Sequence, residues 1–114
     1  MYGMSGIDEI SAPDLAQRLP EVELQLVDVR EPDEVAIANL PNFIHLPLSQ
    51  YPDWADQILT HLDPSRETIV MCHHGMRSAQ MCQWLQRQGF ERTKNLSGGI
   101  DAYARLVDST IPRY

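Results

Sequence analysis

The chain has 114 residues, 43% of them hydrophobic and 22% charged, which is enough for one domain with its own core and leaves no room for a second lobe. Its formal net charge of −7 argues against nucleic acid or an anionic membrane as a partner, because both attract basic surfaces. No apolar stretch approaches the ~20 residues that a membrane-spanning helix needs.

The cysteine count and the start of the chain bear on compartment. Cys72 and Cys82 are fewer cysteines than a secreted disulfide framework normally has, which favours a reducing compartment. Residues 1–6 lack the basic and apolar regions of a signal peptide, and we expect them to form a flexible N-terminus. These observations predict a cytoplasmic protein with a single domain over residues 1–114.

Apolar, strand-like runs alternate with helix-like segments, a pattern typical of an α/β domain with a largely parallel sheet. The first strand is predicted over residues 7–10, followed by a helix that Ser11 caps and that ends near Pro20. Residues 24–29 are apolar enough for a buried central strand. The turn at residues 31–34 opens a short acidic helix.

The same alternation continues through the second half of the chain. The predicted elements are, in order, a strand over 43–46, a helix over 51–62, a strand over 68–71, a helix from about 78 to 88, a strand over 93–96 and a helix over 99–107. Apolar residues three and four positions apart support the helices, and β-branched runs support the strands.

The loop after the fourth predicted strand carries Cys72 at its start. In open α/β sheets ligands bind outside the carboxyl ends of the strands, which is where this cysteine would lie. The loop leads into a helix N-terminus, whose N–H groups and dipole favour anions. Gly75 gives the backbone freedom for a tight curl, and Arg77 adds a cation. Because such surroundings favour the thiolate form of a cysteine, the pattern predicts a nucleophilic thiolate in an anion cradle.

Four short motifs follow one another along the chain. They are Asp28-Val29-Arg30-Glu31-Pro32, Ile44-His45-Leu46-Pro47-Leu48, Cys72-x-x-Gly75-x-Arg77-Ser78 and Leu96-Ser97-Gly98-Gly99-Ile100. Together they resemble the single-domain members of the rhodanese-like sulfurtransferase family, in the family's own order and from about Ile7 onward. The resemblance implies a three-layer α/β fold, with a five-stranded, mainly parallel sheet flanked by helices.

The resemblance also implies activity of the thiosulfate sulfurtransferase (rhodanese) type, with Cys72 as the catalytic residue. Its thiolate would take the outer sulfur of thiosulfate or a persulfide donor and pass it to cyanide or a thiol, including a thiol on a partner protein. The backbone of the loop would stabilise the persulfide, and Arg77 would hold the departing sulfonate. The substrate-binding residues implied are Arg77, His73, His74, Gly75, Met76 and Ser78. No metal or organic cofactor is required.

Other functions remain open beside this one. Phosphatases and arsenate reductases of this fold have a longer loop than the four residues between Cys72 and Arg77, which makes a larger cradle. A second alternative is a persulfide carrier or a non-catalytic partner-binding module. The presence of Cys72 argues against the non-catalytic module but not against the carrier. Cys72, His73 and His74 are potential metal ligands, but adjacent residues rarely converge on one ion, so we predict no metal.

Several neighbouring residues have both a structural and a functional interpretation. His73 and His74 either favour the thiolate as histidinium ions or are exposed loop residues without a catalytic role. Cys82 is expected to be a packed core thiol rather than a resolving cysteine. Asp28 and Arg30 are expected to satisfy each other at a strand end and to fix the loops there.

Overall fold

The computed structural model describes residues 7–114, so the N-terminus expected over residues 1–6 lies outside the described residues. Five strands form one sheet: β1 Asp8–Ile10, β2 Gln25–Asp28, β3 Ile44–His45, β4 Thr68–Met71 and β5 Thr93–Leu96. Their order across the sheet is β1-β5-β4-β2-β3, and each neighbouring pair is parallel. The expected five-stranded parallel sheet is confirmed.

Helices connect the strands. They are α1 Ala12–Arg18, α2 Pro32–Ile37, α3 Tyr51–Trp54, α4 Ile58–His61, α5 Met76–Arg87 and α6 Gly99–Leu106. The Ser11 hydroxyl accepts a hydrogen bond from the backbone N–H of Asp14, as expected of the α1 cap. Among the described residues, no helix has the length and apolar character needed to cross a bilayer.

The sheet separates two hydrophobic clusters, because successive strand residues face opposite sides. Ile69 and Met71 belong to one cluster, which they share with buried residues of α1 and α6. Val70 and Cys72 belong to the other, with buried residues of α3, α4 and α5. The result is three layers, helices on both faces of the sheet. Cys72 follows directly on a central strand and is held by the second cluster.

The structure corrects the prediction of one helix over residues 51–62. Two single helical turns, α3 and α4, are separated there by a 3-10 segment, Ala55–Gln57. The interruption falls at Trp54, whose φ of −124° is far from helical. The indole N–H of Trp54 donates to the Pro47 carbonyl at 2.9 Å, and its ring packs edge-on against Trp84. These tertiary contacts compete with helical geometry at this residue.

The helix after the Cys72 loop begins two residues earlier than expected. Residues 78–88 were predicted, whereas α5 runs over Met76–Arg87. Gly75 stands at its N-cap with a φ of +108°, in the left-handed region that favours glycine. The sharp turn at Gly75 therefore brings the first turn of α5 directly onto the sulfur of Cys72.

Candidate active site

The Cys72 side chain lies inside the loop that follows β4. Only 1% of the residue is exposed. The backbone N–H of Gly75 donates to its Sγ at 3.0 Å, and the Ser78 hydroxyl oxygen lies 3.3 Å from the same sulfur. The loop thus brings two predicted site residues to the sulfur, one through its backbone and one through its side chain. Such donors favour negative charge on sulfur.

The start of α6 holds the loop in place. The N–H of Ile100 donates to the Cys72 carbonyl at 2.9 Å, and the N–H of Asp101 donates to the His73 carbonyl at 3.1 Å. Gly99 has a φ of +64°, and a Cβ there would lie 2.2 Å from the His73 carbonyl oxygen. The motif Leu96-Ser97-Gly98-Gly99-Ile100 therefore both begins α6 and fixes the Cys72 loop, and we call this contact the loop clamp.

A buried polar chain leads from Ser78 to the sheet edge. Ser78 and Asn95 are 0% and 3% exposed, and the Ser78 Oγ lies 2.5 Å from Oδ1 of Asn95. The Asn95 amide nitrogen donates to the Gly75 carbonyl at 2.9 Å and to a Glu9 carboxylate oxygen at 3.1 Å. Asn95 thereby orients both loop residues that touch the Cys72 sulfur.

Arg77 is engaged by a carboxylate. Its NH1 and NH2 donate to Oε1 and Oε2 of Glu34 at 2.7 Å and 2.9 Å, a bidentate pair. Hydrogen bonding from Arg77 lowers the pKa of Glu34 to about 2, and the same contact raises the pKa of Arg77. Arg77 is predicted to hold the departing sulfonate; in the structure two of its five N–H groups are bonded to Glu34 on α2, which lies opposite it.

His73 stacks on the ring of Tyr114 and lies beside the tilted ring of His74. Its centroid lies 3.9 Å from that of Tyr114, at 8° between planes, and 3.8 Å from that of His74. Burial, followed by repulsion from His74, lowers the pKa of His73, which makes it a neutral imidazole at neutral pH. The proposed stabilisation of a thiolate by a histidinium therefore does not apply to His73. Met76, by contrast, is 76% exposed at the rim of the loop.

The structure brings together a group of possible metal ligands that the sequence does not place together. One ligand atom each from His73, His74 and Asp101 lies within 4.8 Å of the others. The Asp101 carboxylate, however, already accepts hydrogen bonds from Arg105 at 3.1 Å and Arg113 at 2.9 Å. Two guanidinium charges at this carboxylate oppose a cation, and we assign the group no metal.

The remaining candidate residues take the structural roles expected of them. Cys82 is 0% exposed, and burial raises its pKa to about 12, so it is a packed thiol. Arg30 is 0% exposed and donates to the Asp28 carboxylate at 2.8 Å. Arg30 also donates to the Ala38 carbonyl and the Tyr114 hydroxyl, so the pair fixes the segments around α2.

Three residues of the site were not identified from the sequence: Glu34, Asn95 and Tyr114. The sequence carries a signal for the first, since Glu31 and Glu34 have the spacing of a capping box, which the structure contains. Asn95 is a polar residue in a predicted strand, and a polar side chain that such a strand buries needs a partner. Tyr114 follows α6 without any recognisable pattern.

Comparisons with known proteins agree with this geometry. The family profile of the rhodanese-like domain matches residues 11–106. A protein of Allochromatium vinosum named sulfurtransferase is 38% identical over 100 residues, which cover 87% of this chain and 90% of that protein. The crystal structure of a rhodanese-like domain protein from Staphylococcus aureus superposes with a TM-score of 0.76 at 27% identity, covering 95% of this chain and 99% of the other.

A plant relative has higher identity but is much longer. The rhodanese-like/PpiC domain-containing protein 12 of Arabidopsis thaliana, named as chloroplastic, is 50% identical over 92 residues. The match covers 81% of this chain but only 31% of that protein. The similarities to the family and to a named sulfurtransferase support a general role in sulfur transfer.

Proposed function

The chain belongs to the rhodanese-like domain family, and from that membership we propose that it is a sulfurtransferase carrying sulfane sulfur as a persulfide on Cys72. One observation carries the proposal. The Gly75 N–H and the Ser78 hydroxyl both approach the Cys72 sulfur, at 3.0 Å and 3.3 Å, at the start of a helix. Hydrogen-bond donors and a helix dipole directed at one sulfur stabilise both a thiolate and a persulfide anion.

In the first half-reaction, the Cys72 thiolate attacks the outer sulfur of the donor and forms a new S–S bond. With thiosulfate, the old S–S bond breaks, sulfite leaves with its electron pair, and Cys72 retains a persulfide anion. With a persulfide R–S–SH, the thiolate R–S⁻ leaves, and Cys72 carries –S–SH. The Gly75 N–H, which reaches the Cys72 sulfur, would also stabilise charge on the added sulfur. Because only 1% of Cys72 is exposed, a donor must present a slim terminal sulfur.

In the second half-reaction, an acceptor nucleophile attacks the outer sulfur of the Cys72 persulfide. A thiolate acceptor leaves as a new persulfide, and Cys72 is the leaving thiolate. With cyanide, the product is thiocyanate, and the persulfide proton passes to solvent. Both steps displace sulfur at sulfur, with Cys72 first as nucleophile and then as leaving group. Neither step requires a metal or an organic cofactor.

The mass of the intact protein tests the first half-reaction. We would incubate the reduced protein with thiosulfate and, separately, with glutathione persulfide. We expect the mass of one added sulfur, removed by cyanide or dithiothreitol. Cys72→Ser should gain nothing, whereas Cys82→Ser, the matched control, should gain the sulfur as the native chain does. If neither donor adds sulfur to the native chain, or if Cys72→Ser also gains it, the proposal is wrong.

A persulfide carrier that hands its sulfur to a partner protein is the second candidate. Met76, 76% exposed beside the loop, supports this possibility because an exposed apolar side chain at the mouth suits a protein acceptor. A carrier would discharge slowly to small thiols and cyanide and rapidly to one protein thiol. Discharge to cyanide or glutathione that is as fast as loading would favour the enzyme. We predict a cytoplasmic location for either function, because the chain has only two cysteines.

A further inference from the structure

The contact between Glu34 and Arg77 bears on which donors the site accepts. Four hydrogen bonds fix the Glu34 carboxylate. Arg77 donates to both oxygens, the Glu31 N–H donates to Oε1 at 3.0 Å, and the Tyr114 hydroxyl donates to Oε2 at 2.9 Å. The side chain of Glu34 is 17% exposed and that of Arg77 is 37% exposed. Because four donors hold the Glu34 carboxylate in position, the carboxylate in turn holds the Arg77 guanidinium toward itself.

The pairing offsets the charge of the cation that a dianionic donor would need. Glu34 stays ionised throughout the physiological range because its pKa lies near 2, so the pair has no net charge. Two further carboxylates, those of Glu31 and Asp33, flank it at the start of α2, and the whole chain carries −7. The Gly75 N–H remains as a donor, but it is directed at the Cys72 sulfur.

Donors differ in the charge that their leaving group brings to the site. Thiosulfate has two negative charges, and both depart on sulfite, so its transfer depends on a cation near the sulfonate. A persulfide R–S–SH approaches without charge on the reacting group and releases a singly charged thiolate. Neutralising Arg77 therefore penalises thiosulfate more than a persulfide.

We propose that Glu34 is a specificity-determining residue, which holds Arg77 away from the donor and makes the Cys72 site prefer persulfides over thiosulfate. The inference rests on the proposed function, since it presumes that Cys72 accepts sulfane sulfur. It assigns the donor class, a thiol persulfide, and it gives Arg77 a role in restraining Glu34 rather than in binding sulfonate.

The test compares the rate of Cys72 persulfide formation from thiosulfate with that from glutathione persulfide, in native and variant chains. Glu34→Gln removes the carboxylate charge at nearly constant shape and leaves Arg77 unpaired. We expect the thiosulfate rate to rise about tenfold, as for one new charge-assisted contact, and the persulfide rate to change by less than about threefold. In Glu34→Gln/Arg77→Gln the gain should disappear.

Glu67→Gln is the matched control. Glu67 also accepts a short hydrogen bond from an arginine, Arg18, at 2.6 Å. It lies just before β4, at the opposite end of that strand from the Cys72 loop. Its replacement should leave the ratio of the two donor rates unchanged. A change in that ratio equal to the change in Glu34→Gln would mean that a general loss of negative charge, rather than release of Arg77, is responsible, and would overturn the proposal.

The other outcomes separate the inference from the proposed function. If no donor loads Cys72 in the native chain, the proposed function fails. If both donors load it but Glu34→Gln leaves their rate ratio unchanged, only the role of Glu34 fails. Should Glu34→Gln not fold, the uncharged double variant decides: its thiosulfate rate should stay within about threefold of native, and a loss of tenfold or more would show that Arg77 serves the sulfonate despite Glu34.

Discussion

The hydroxyl oxygen of Ser78 lies 3.3 Å from the sulfur of Cys72, and it lies 2.5 Å from Oδ1 of Asn95. Ser78 has only one hydroxyl proton to donate. Because the Asn95 amide nitrogen already donates to Gly75 and Glu9, its Oδ1 faces Ser78 as an acceptor. When Cys72 is a thiol, it can donate to the Ser78 oxygen while the Ser78 hydroxyl donates to Asn95. When Cys72 is a thiolate or a persulfide anion, the Ser78 hydroxyl can turn and donate its hydrogen bond to the sulfur.

Removal of the Ser78 hydroxyl should therefore slow sulfur loading. We expect Ser78→Ala to lower the single-turnover rate of Cys72 persulfide formation about tenfold, since a hydrogen bond to a charged group contributes roughly 1.5–3 kcal/mol. Ser97→Ala is the control, because the Ser97 hydroxyl donates to the same Glu9 at an exposed position. A native loading rate in Ser78→Ala would show that the backbone N–H of Gly75 is sufficient.

The loop clamp at the start of α6 should not tolerate a side chain. We expect Gly99→Ala to lower the urea midpoint and to abolish persulfide formation, because its Cβ would meet the carbonyls of His73 and Cys72 at 2.2 Å and 2.5 Å. Gly89→Ala is the control: its φ of +99° is also left-handed, but a Cβ there meets nothing within 4 Å. Gly89→Ala should cost about 1 kcal/mol of stability and leave loading intact.

Two carboxylates should govern acid stability. Hydrogen bonds from Arg77 and Arg18 hold the pKa values of Glu34 and Glu67 near 2, below their ordinary value of 4.5. The folded chain binds these protons less readily than the unfolded chain, so their contribution is complete above about pH 4.5 and is lost as the pH falls toward 2.

The free energy of unfolding in urea should accordingly drop between pH 4.5 and 2. In Glu34→Gln/Glu67→Gln it should start lower at neutral pH and vary less over that interval. The exposed Glu23→Gln serves as the control for a general loss of charge. An unchanged acid dependence in the double variant would contradict the assignment of acid stability to these two pairs.

The geometry of the loop could be predicted because its residues are close in sequence. Cys72, Gly75 and Ser78 lie within one strand–loop–helix unit, and that unit largely determines their mutual geometry. The sheet could likewise be predicted from buried strand runs and ordered motifs. The prediction of a single helix over residues 51–62 was wrong. The spacing of apolar residues is nearly the same in a continuous helix and in two helical turns joined by a 3-10 segment.

The partners of the loop could not be predicted, because they come from distant elements. Glu34 reaches Arg77 across 43 positions, and Asn95 reaches Ser78 across 17. Nothing in one sequence indicates which carboxylate an arginine will face once the sheet brings α2 and α5 together. From the sequence Arg77 therefore predicts an anion site, and the carboxylate that pairs with it becomes visible only in the folded chain.

Tyr114 should control the titration of His73. The two rings stack at 3.9 Å, and burial is the main cause of the lowered pKa of His73. Tyr114→Ala should re-expose the imidazole and raise that pKa toward 6.5, as followed by NMR of its ring protons across a pH series. His74→Gln should also raise it, by removing the neighbouring charge. A native His73 that titrates at or above 6.5 would contradict both the stack and the neutral form assigned to it.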